Sequence, residues 1–497
     1  MELGKIANLL PLILFMLAMM GASMWARKGL SKDNSFVNNY YIGGRDLGGF
    51  VLAMTTVATY SSVSTFVGGP GVAWSIGYGW LYMAIVQIVV IFLVLGVFGK
   101  KISLISRKID AVTIIDIIRN RYQSDTLANL SAFVIVLFFC STMVAQFVGG
   151  AKLFEAVTGL SYTLGLTLFG VIVVFYTAVG GFKGVAVTDA LCAIAMFVGL
   201  GILFYSILDK AGGYTAIMQH LATNHPQMLE PLSGGNMPVS LYISQWLLVG
   251  VCTLSLPQSV VRCISSKDSQ SIKRAMIVGT FVIGLMTLMA TWIGVISKGV
   301  LTGPLSQYGT ADNITPMTII SCMSPFLAGI TILGPVGATI STIDSLLLSA
   351  SSSLIKDIYM HKCEQEGKVL SESTIKNLSM GCTLVLGALV FAISLNPPSL
   401  IWQINMFAFG GLETAFFWVL IFGLFWPKAN KTGALWAMFG GVAIYCITLA
   451  LKIRFMNIHQ ILFGIVFSGV LFLIGNAMGK DHDESVLKIY FPEKYED

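Results

Sequence analysis

The chain has 497 residues, of which 56% are hydrophobic and only 11% are charged. Soluble domains carry roughly 25% charged residues, so this composition excludes an ordinary soluble protein and predicts one that spans a membrane. The net charge of +6 comes from short basic segments between apolar runs, so it does not indicate a nucleic-acid partner.

Apolar runs recur along the whole chain, each near the ~20 residues that a helix needs to cross a bilayer. They lie near residues 6–26, 49–71, 78–98, 127–152, 160–180, 185–208, 243–264, 275–297, 326–352, 378–396, 399–425, 433–451 and 459–478. The sequence therefore predicts an all-α integral membrane protein with about 13 transmembrane helices.

Two of these spans are interrupted, and their positions indicate that the chain contains two repeats. The second ends in Gly-Gly-Pro-Gly at 68–71 after a hydroxyl-rich segment, and the seventh carries Pro257. Broken helices in matching places of two repeats are typical of a transporter's binding site. We predict five-helix repeats at 49–208 and 243–425, an N-terminal helix and cytoplasmic loop at 1–48, an extracellular loop at 209–242, and C-terminal helices with a cytoplasmic tail at 426–497.

Basic residues set the expected orientation. With the N-terminus outside and the C-terminus in the cytoplasm, all but six of the 30 Lys and Arg lie on the cytoplasmic side, provided that Arg262 is placed at the cytoplasmic end of its span. The exceptions are Lys5, Lys152, Lys210, Lys298, Lys452 and Arg454.

The ninth span carries small and hydroxyl-bearing residues on one helical face. Ala338, Ser341, Thr342, Ser345 and Ser349 recur every three or four residues. Such a stripe is costly in lipid unless it packs against another helix or binds a ligand. Oxygen donors suit a hard cation such as sodium, so this span is the first candidate for an ion site.

Three acidic residues fall inside predicted spans. Asp189 and Asp344 share the cytoplasmic half of the membrane and could form a cation site or a proton relay, although Asp189 could instead cap its helix near the interface. Glu413 falls near the middle of the eleventh span, where a carboxylate is either functional or a structural partner.

Neutral polar residues complete the candidates. Gln87 and Thr142 lie near mid-depth and Gln146 somewhat to the outside of it, where they could line a polar cavity or bond between helices or to their own backbone. No catalytic residues are expected, because the five histidines lie nearly all in loops or the tail and no GxxxxGK[ST] loop occurs. The eight cysteines show no CxxC spacing.

Long strings of the chain resemble the sodium:solute symporter family, whose members share a LeuT-like 5+5 inverted-repeat fold. The strings are YYIGGRDLGGFVLAMTTVATYSSVSTFVGGPG, AVTIIDIIRNRYQS, AQFVGGAKLFE, YTAVGGFKG, VVRCISSKDS, ISTIDSLLLSASSSLIKDIY and NMFAFGGLETAFFW. The resemblance covers nearly the whole chain and is strongest to members that import pantothenate.

The resemblance implies particular site residues. A main sodium site would use Ala58, Ser61, Ala338, Ser341 and Thr342, and a second sodium ion would use Asp189, Asp344 and Ser345. The substrate pocket would lie between spans 2, 3, 4, 7 and 11, at Thr65, Gln87, Thr142, Gln146, Gln258, Asn405 and Glu413.

The resemblance also implies the activity, which is symport of sodium with a small anionic solute across the bacterial inner membrane by alternating access. Pantothenate is the expected solute, Na+ is the expected coupling ion, and a monomer is the expected functional unit. Proline, a sugar, sialic acid or a monocarboxylate are alternative solutes, and proton coupling through Asp189, Asp344 or Glu413 is an alternative drive. A channel or a membrane enzyme is a more distant alternative.

Overall fold

A computed structural model describes residues 2–28, 35–396, 400–479 and 484–494. Residues 29–34 of the predicted first cytoplasmic loop and 480–483 of the predicted tail lie outside the described residues. The described part is helical, with one isolated β-bridge between Leu47 and Ser266.

The α-helices are numbered in chain order. They are α1 Glu2–Lys28, α2 Phe36–Ile42, α3 Gly49–Tyr60, α4 Gly69–Ile76, α5 Leu81–Leu93, α6 Lys100–Lys108, α7 Ile114–Tyr122, α8 Asp125–Thr158, α9 Tyr162–Lys210, α10 Tyr214–Asn224, α11 Val239–Val249, α12 Pro257–Ser265, α13 Ser269–Ile296, α14 Leu305–Tyr308, α15 Ile314–Cys322, α16 Pro325–Thr331, α17 Leu333–Ser352, α18 His361–Gln365, α19 Glu372–Ser394, α20 Ile401–Phe425, α21 Lys431–Ala450, α22 Gln460–Met478 and α23 Glu484–Tyr490. Wider π-helical turns at Ser64–Gly68, Val94–Gly99 and Ser353–Met360 connect or extend them.

The described helices account for the predicted spans. Eleven are long and apolar enough to cross a membrane, and the bent pair of α3 with Ser64–Ile76 forms one more. The 49-residue α9 is about 74 Å long at 1.5 Å per residue, more than twice the ~30 Å hydrocarbon core. It is broken at Gly181, whose φ of +62° and ψ of −171° are not helical, so it supplies both the fifth and the sixth span.

The second span breaks upstream of the glycine and proline cluster that suggested the interruption. The helix axis bends by 60° between its two halves, at residues 61–63, and Ser61 has extended backbone angles. Pro70 lies inside the continuous helical segment Ser64–Ile76, directly after the π-helical turn Ser64–Gly68, and the helix continues through it. The interruption therefore lies at the hydroxyl-rich segment, beside the Ala58 and Ser61 positions that the family resemblance implies for sodium, rather than at residues 68–71.

The seventh span is interrupted where Pro257 predicted it. Helix α11 ends before Gly250, a 3-10 turn follows at Val251–Ser255, and Pro257 opens α12. The two broken spans pack in the same bundle: α12 contacts both α3 and α17, and α17 contacts α3.

Helix α17 is the centre of the bundle. Every one of its residues except Leu333 and Ser349 is buried, and it packs mainly against α8, α9 and α19. Protein therefore surrounds the whole helix, so the oxygen atoms of the polar stripe do not contact lipid.

The C-terminal end of this central segment is anchored by charged residues. Lys356, just beyond α17, contacts the carboxylate of Asp116 on α7, and Asp116 forms a reciprocal capping box with Thr113. The Thr113 hydroxyl also donates to the Asp357 carboxylate at 2.7 Å. The short, largely buried helix α7 thus holds the end of the central helix in place.

Candidate functional site

The break in the second span faces the polar stripe of α17. The Ser341 hydroxyl lies 3.0 Å from the Ala58 carbonyl oxygen, across the interface, and 3.2 Å from the Ala338 carbonyl oxygen. The Thr342 hydroxyl donates to the same Ala338 carbonyl at 3.0 Å. Ser61 is fully buried at the break, and its hydroxyl has no hydrogen-bond partner among the described residues.

The five positions expected to hold the main sodium ion are thus brought into one region. All are neutral oxygen donors at most 3% exposed, and the unpartnered Ser61 hydroxyl is a donor left available to a ligand. Neutral carbonyl and hydroxyl oxygens match the preference of a hard cation, so these residues fit a sodium ion chemically.

A second polar cluster lies nearer the N-terminal end of α3 and the C-terminal end of α17. Its centre is Arg262 of α12, which is fully buried. The Arg262 Nη2 lies 3.6 Å from Asp189 Oδ2 and donates to the Ser345 hydroxyl at 2.6 Å. Ser345 in turn lies 3.4 Å from the Asp344 carboxylate. The three residues expected to hold a second sodium ion therefore share one network with a guanidinium group.

Two further hydroxyl groups complete this cluster. The Thr55 hydroxyl of α3 donates to Asp189 at 2.6 Å, and the Tyr176 hydroxyl of α9 donates to Asp344 at 2.8 Å. With both carboxylates ionised, two negative charges face one positive charge, so the cluster can accept one more monovalent cation or proton. Sequence reasoning placed Arg262 near the cytoplasmic surface and missed it as the partner of Asp189. The available signal was its placement, like that of Asp189, in the cytoplasmic half.

A cavity lies on the other side of the break in the second span. It is lined by Tyr60, Ser62, Ser64, Thr65, Gly69, Trp80, Met83, Ala84, Gln87, Val90, Val249, Thr253, Leu256, Ile283, Thr287, Thr291, Trp402, Met406 and Phe409. The centres of water-sized molecules can occupy about 60 Å³ of it, room for about four to six waters. In this conformation the cavity is narrow, and a larger solute requires the surrounding spans to move apart.

The residues expected in the substrate pocket take different places. Thr65 and Gln87 line the cavity. The Gln146 side-chain oxygen accepts a hydrogen bond from the Val63 amide at 2.9 Å, and the Asn405 side chain donates one to the Ser64 hydroxyl. These two side chains therefore stabilise the break in the second span.

The remaining three expected residues lie away from the cavity lining. The Thr142 hydroxyl donates to the Phe138 carbonyl of its own helix at 3.1 Å. The Gln258 carbonyl accepts from Arg262 at 2.9 Å, while its side-chain oxygen is unpartnered among the described residues. Glu413 is buried one helical turn beyond Phe409.

Several lining residues were not predicted from the sequence. Thr287 and Thr291 on α13 place the eighth span in the cavity wall, and their four-residue spacing in an apolar helix was the available signal. Trp80 and Trp402 close one end of the cavity as an edge-to-face pair with ring centres 5.4 Å apart. These two tryptophans come from spans that are distant in sequence, so only the fold brings them together.

Broken helices from two repeats that meet at a buried polar cavity define a secondary transporter of the inverted-repeat class. The sequence profile of the sodium:solute symporter family matches residues 40–441, and the chain belongs to that family. It is therefore a membrane transporter rather than an enzyme, as the sequence predicts, and sodium is the coupling ion of its family.

Individual relatives agree with this assignment. The chain is 38% identical over 481 residues to a sodium/pantothenate symporter of Haemophilus influenzae, with 97% of both chains covered. It is 36% identical over 472 residues to a sodium/pantothenate symporter of Escherichia coli, covering 95% of this chain and 96% of that relative.

A solved structure supports the fold. The chain matches a Na+-coupled sialic acid symporter, captured in a substrate-bound outward-open state, with a TM-score of 0.80, 18% identity and coverage of 96% of this chain and 98% of the other. At that identity the likeness supports the architecture alone, and it confirms the predicted all-α LeuT-like fold.

Proposed function

We propose that this chain imports pantothenate together with sodium across a bacterial inner membrane. Two relatives named as sodium/pantothenate symporters match it over nearly its full length at 36% and 38% identity. The positive-inside distribution supports an extracellular N-terminus and a cytoplasmic C-terminus. We also propose a monomer in the lipid bilayer as the functional unit, because both broken spans and the cavity that transport needs belong to one chain.

The observation that carries this proposal is the position of the cavity beside the break in the second span. Pantothenate bears hydroxyl groups, an amide and a carboxylate. The cavity offers matching neutral groups on Ser62, Ser64, Thr65, Thr253 and Gln87, and its lining contains no basic side chain.

The carboxylate of the solute therefore needs another source of positive potential. The half-helix that starts at Ser64 has its N-terminal end in the cavity wall, and the positive end of its dipole favours an anion although its first amides already bond to Gln146 and Ser62. A sodium ion held by Ala58, Ser61, Ala338, Ser341 and Thr342 adds a full positive charge next to the same break. This arrangement makes the binding of solute depend on the binding of sodium.

The acid and arginine cluster provides a second cation site in this proposal. Asp189, Asp344 and Ser345 bind a second sodium ion when Arg262 shifts away from Asp189, because the vacated carboxylate oxygens then face the cation. Asp189 Oδ1 is already without a hydrogen-bond partner among the described residues. The cycle thus exchanges one internal cation for one transported cation.

Transport follows from differential affinity in the two conformations. Sodium joins α3 to α17 and favours the state that opens outward, the solute binds, and closure is followed by inward release. The sodium gradient drives this cycle, and a membrane potential of 100 mV adds about 2.3 kcal/mol per net charge moved.

The direct test is uptake of labelled pantothenate by proteoliposomes with and without an inward sodium gradient. Saturable uptake that requires sodium supports the proposal. Sodium-dependent uptake of proline, a sugar, sialic acid or a monocarboxylate in place of pantothenate would refute the substrate but retain the coupling. Uptake that persists without sodium at acid pH would refute sodium as the driving ion.

A further inference from the structure

Glu413 is buried in the middle of α20 without a hydrogen-bond partner. Its side chain is fully inaccessible, and neither carboxylate oxygen bonds to any group in the described part of the chain. It follows Trp402, Met406 and Phe409 at spacings of 11, 7 and 4 residues, so all four share one helical face. The first three line the cavity, which places Glu413 one turn beneath it.

The neighbours of Glu413 cannot neutralise a negative charge. The titratable groups that interact with it electrostatically include Tyr60 of α3, Cys252 of the seventh-span break and Tyr445 of α21. None of these is basic. The α8 and α22 residues that meet this part of α20 include Phe138 and Ser468, and neither titrates.

Both nearby phenol groups are also engaged elsewhere. The Tyr60 hydroxyl lies 2.5 Å from the Ser259 hydroxyl of α12, and the Tyr445 hydroxyl lies 3.2 Å from the carbonyls of Met406 and Phe407. Glu413 therefore receives neither a counter-charge nor a hydrogen bond. An ionised carboxylate buried in this way is very costly, so the side chain must hold a ligand of positive charge.

The surroundings indicate which cation this is. A sodium ion needs several oxygen ligands, whereas no hydroxyl group of the described residues lies within hydrogen-bond distance of either Glu413 carboxylate oxygen. A proton needs only the carboxylate itself. We propose that Glu413 is a proton-carrying site that takes up a proton from the outside and releases it to the cytoplasm in each transport cycle.

The position of Glu413 explains why the proton would leave. The Tyr60 and Ser259 hydroxyls join α3 to α12, the halves of the broken spans that lie toward the cytoplasm, and this contact closes the cavity beneath the solute. Inward release requires that contact to open, and water then reaches Glu413. Its O–H bond breaks, the proton passes to cytoplasmic water, and the carboxylate becomes negative.

The new charge then acts on the solute. A carboxylate one turn below the cavity repels an anion and promotes its release, and the outward-open state restores the O–H bond from extracellular water. One proton thus enters with each solute molecule, in addition to sodium. This effect on the solute rests on the anionic substrate of the proposed function, whereas the protonation itself does not.

Infrared difference spectroscopy on the purified protein in lipid, without solute, tests the site. We expect a carbonyl-stretch band of a protonated carboxylic acid that disappears reversibly as pH is raised. The band should be missing in Glu413→Gln, shifted in Glu413→Asp, and unchanged in Glu155→Gln, which removes an exposed carboxylate near the end of α8.

Two results would overturn the proposal. A band that Glu413→Gln leaves unchanged would show that Glu413 is ionised, and a band that never titrates would show a permanently neutral, structural acid. Glu413→Asp decides the matter if the Gln variant does not fold. Failure of the wild-type protein to transport pantothenate would refute the proposed substrate and leave this spectroscopic result standing.

Discussion

The substitution Ser341→Ala removes the hydroxyl that joins the two sides of the proposed main sodium site. That hydroxyl is fully buried, 3.0 Å from the Ala58 carbonyl oxygen and 3.2 Å from that of Ala338. An interaction of a hydroxyl with a charged partner contributes about 1.5–3 kcal/mol, and each 1.4 kcal/mol is tenfold in affinity. Loss of this ligand should therefore raise the half-saturating sodium concentration about 10- to 140-fold.

The assay is the initial rate of labelled pantothenate uptake by proteoliposomes across a series of sodium concentrations. Thr339→Val is the matched control, because the equally buried Thr339 hydroxyl donates to the Pro335 carbonyl of its own helix. A shift below twofold in Ser341→Ala, at normal protein levels, would refute Ser341 as a sodium ligand. An equal shift in the control would assign the effect to packing of α17.

Three other substitutions test the remaining parts of the structure. Arg262→Met leaves the buried Asp189 carboxylate unpaired, so the free energy of unfolding should fall by about 3–5 kcal/mol and the melting temperature should drop. Adding Asp189→Asn should restore part of the melting temperature. An unchanged melting temperature in Arg262→Met would contradict the pairing. For Asp116, burial raises the pKa, but the Lys356 ammonium group and two backbone amides outweigh burial and hold the pKa below its usual value. This pair therefore stabilises the fold above about pH 3.9 and ceases to do so as pH falls further, so Asp116→Asn should flatten the acid limb of a melting-temperature profile. Gln87→Ala should raise the KM for pantothenate about 5- to 12-fold, because it removes one hydrogen bond worth about 1–1.5 kcal/mol. If only the sodium activation of uptake changed, Gln87 would not belong to the substrate pocket.

The parts of the site that lie on one helix were predictable from the sequence. The spacing of Ala338, Ser341, Thr342 and Ser345 defines a stripe because an α-helix repeats every 3.6 residues, and the structure keeps α17 straight enough for the stripe to hold. Pro257 marked the seventh-span break for a similar local reason, since proline cannot continue the helix before it.

The break in the second span depends on contacts that the local sequence does not reveal. The amide of Val63 is satisfied by Gln146 of α8, and the hydroxyl of Ser64 by Asn405 of α20. These partners lie 83 and 341 residues away in the chain. Backbone groups freed inside a membrane require such partners, so the position of the break was fixed by the assembled bundle rather than by the nearby glycines.

Asp189, Asp344 and Glu413 are buried in described spans in three different surroundings, and the differences bear on coupling. Asp189 faces a guanidinium group, Asp344 accepts a hydrogen bond from Tyr176, and Glu413 has neither. A closed transporter must hide its charges from lipid, because an uncompensated ion in the hydrocarbon region is costly in either conformation. The anionic solute of the proposed function adds one more charge to this requirement, and the cavity supplies no basic side chain to meet it. Closure of the transporter around the solute alone is therefore unfavourable. Closure becomes favourable when a sodium ion is bound beside the solute. Strict coupling of the two fluxes then follows from the absence of a basic residue in the pocket, since an arginine there would allow the solute to cross without the ion.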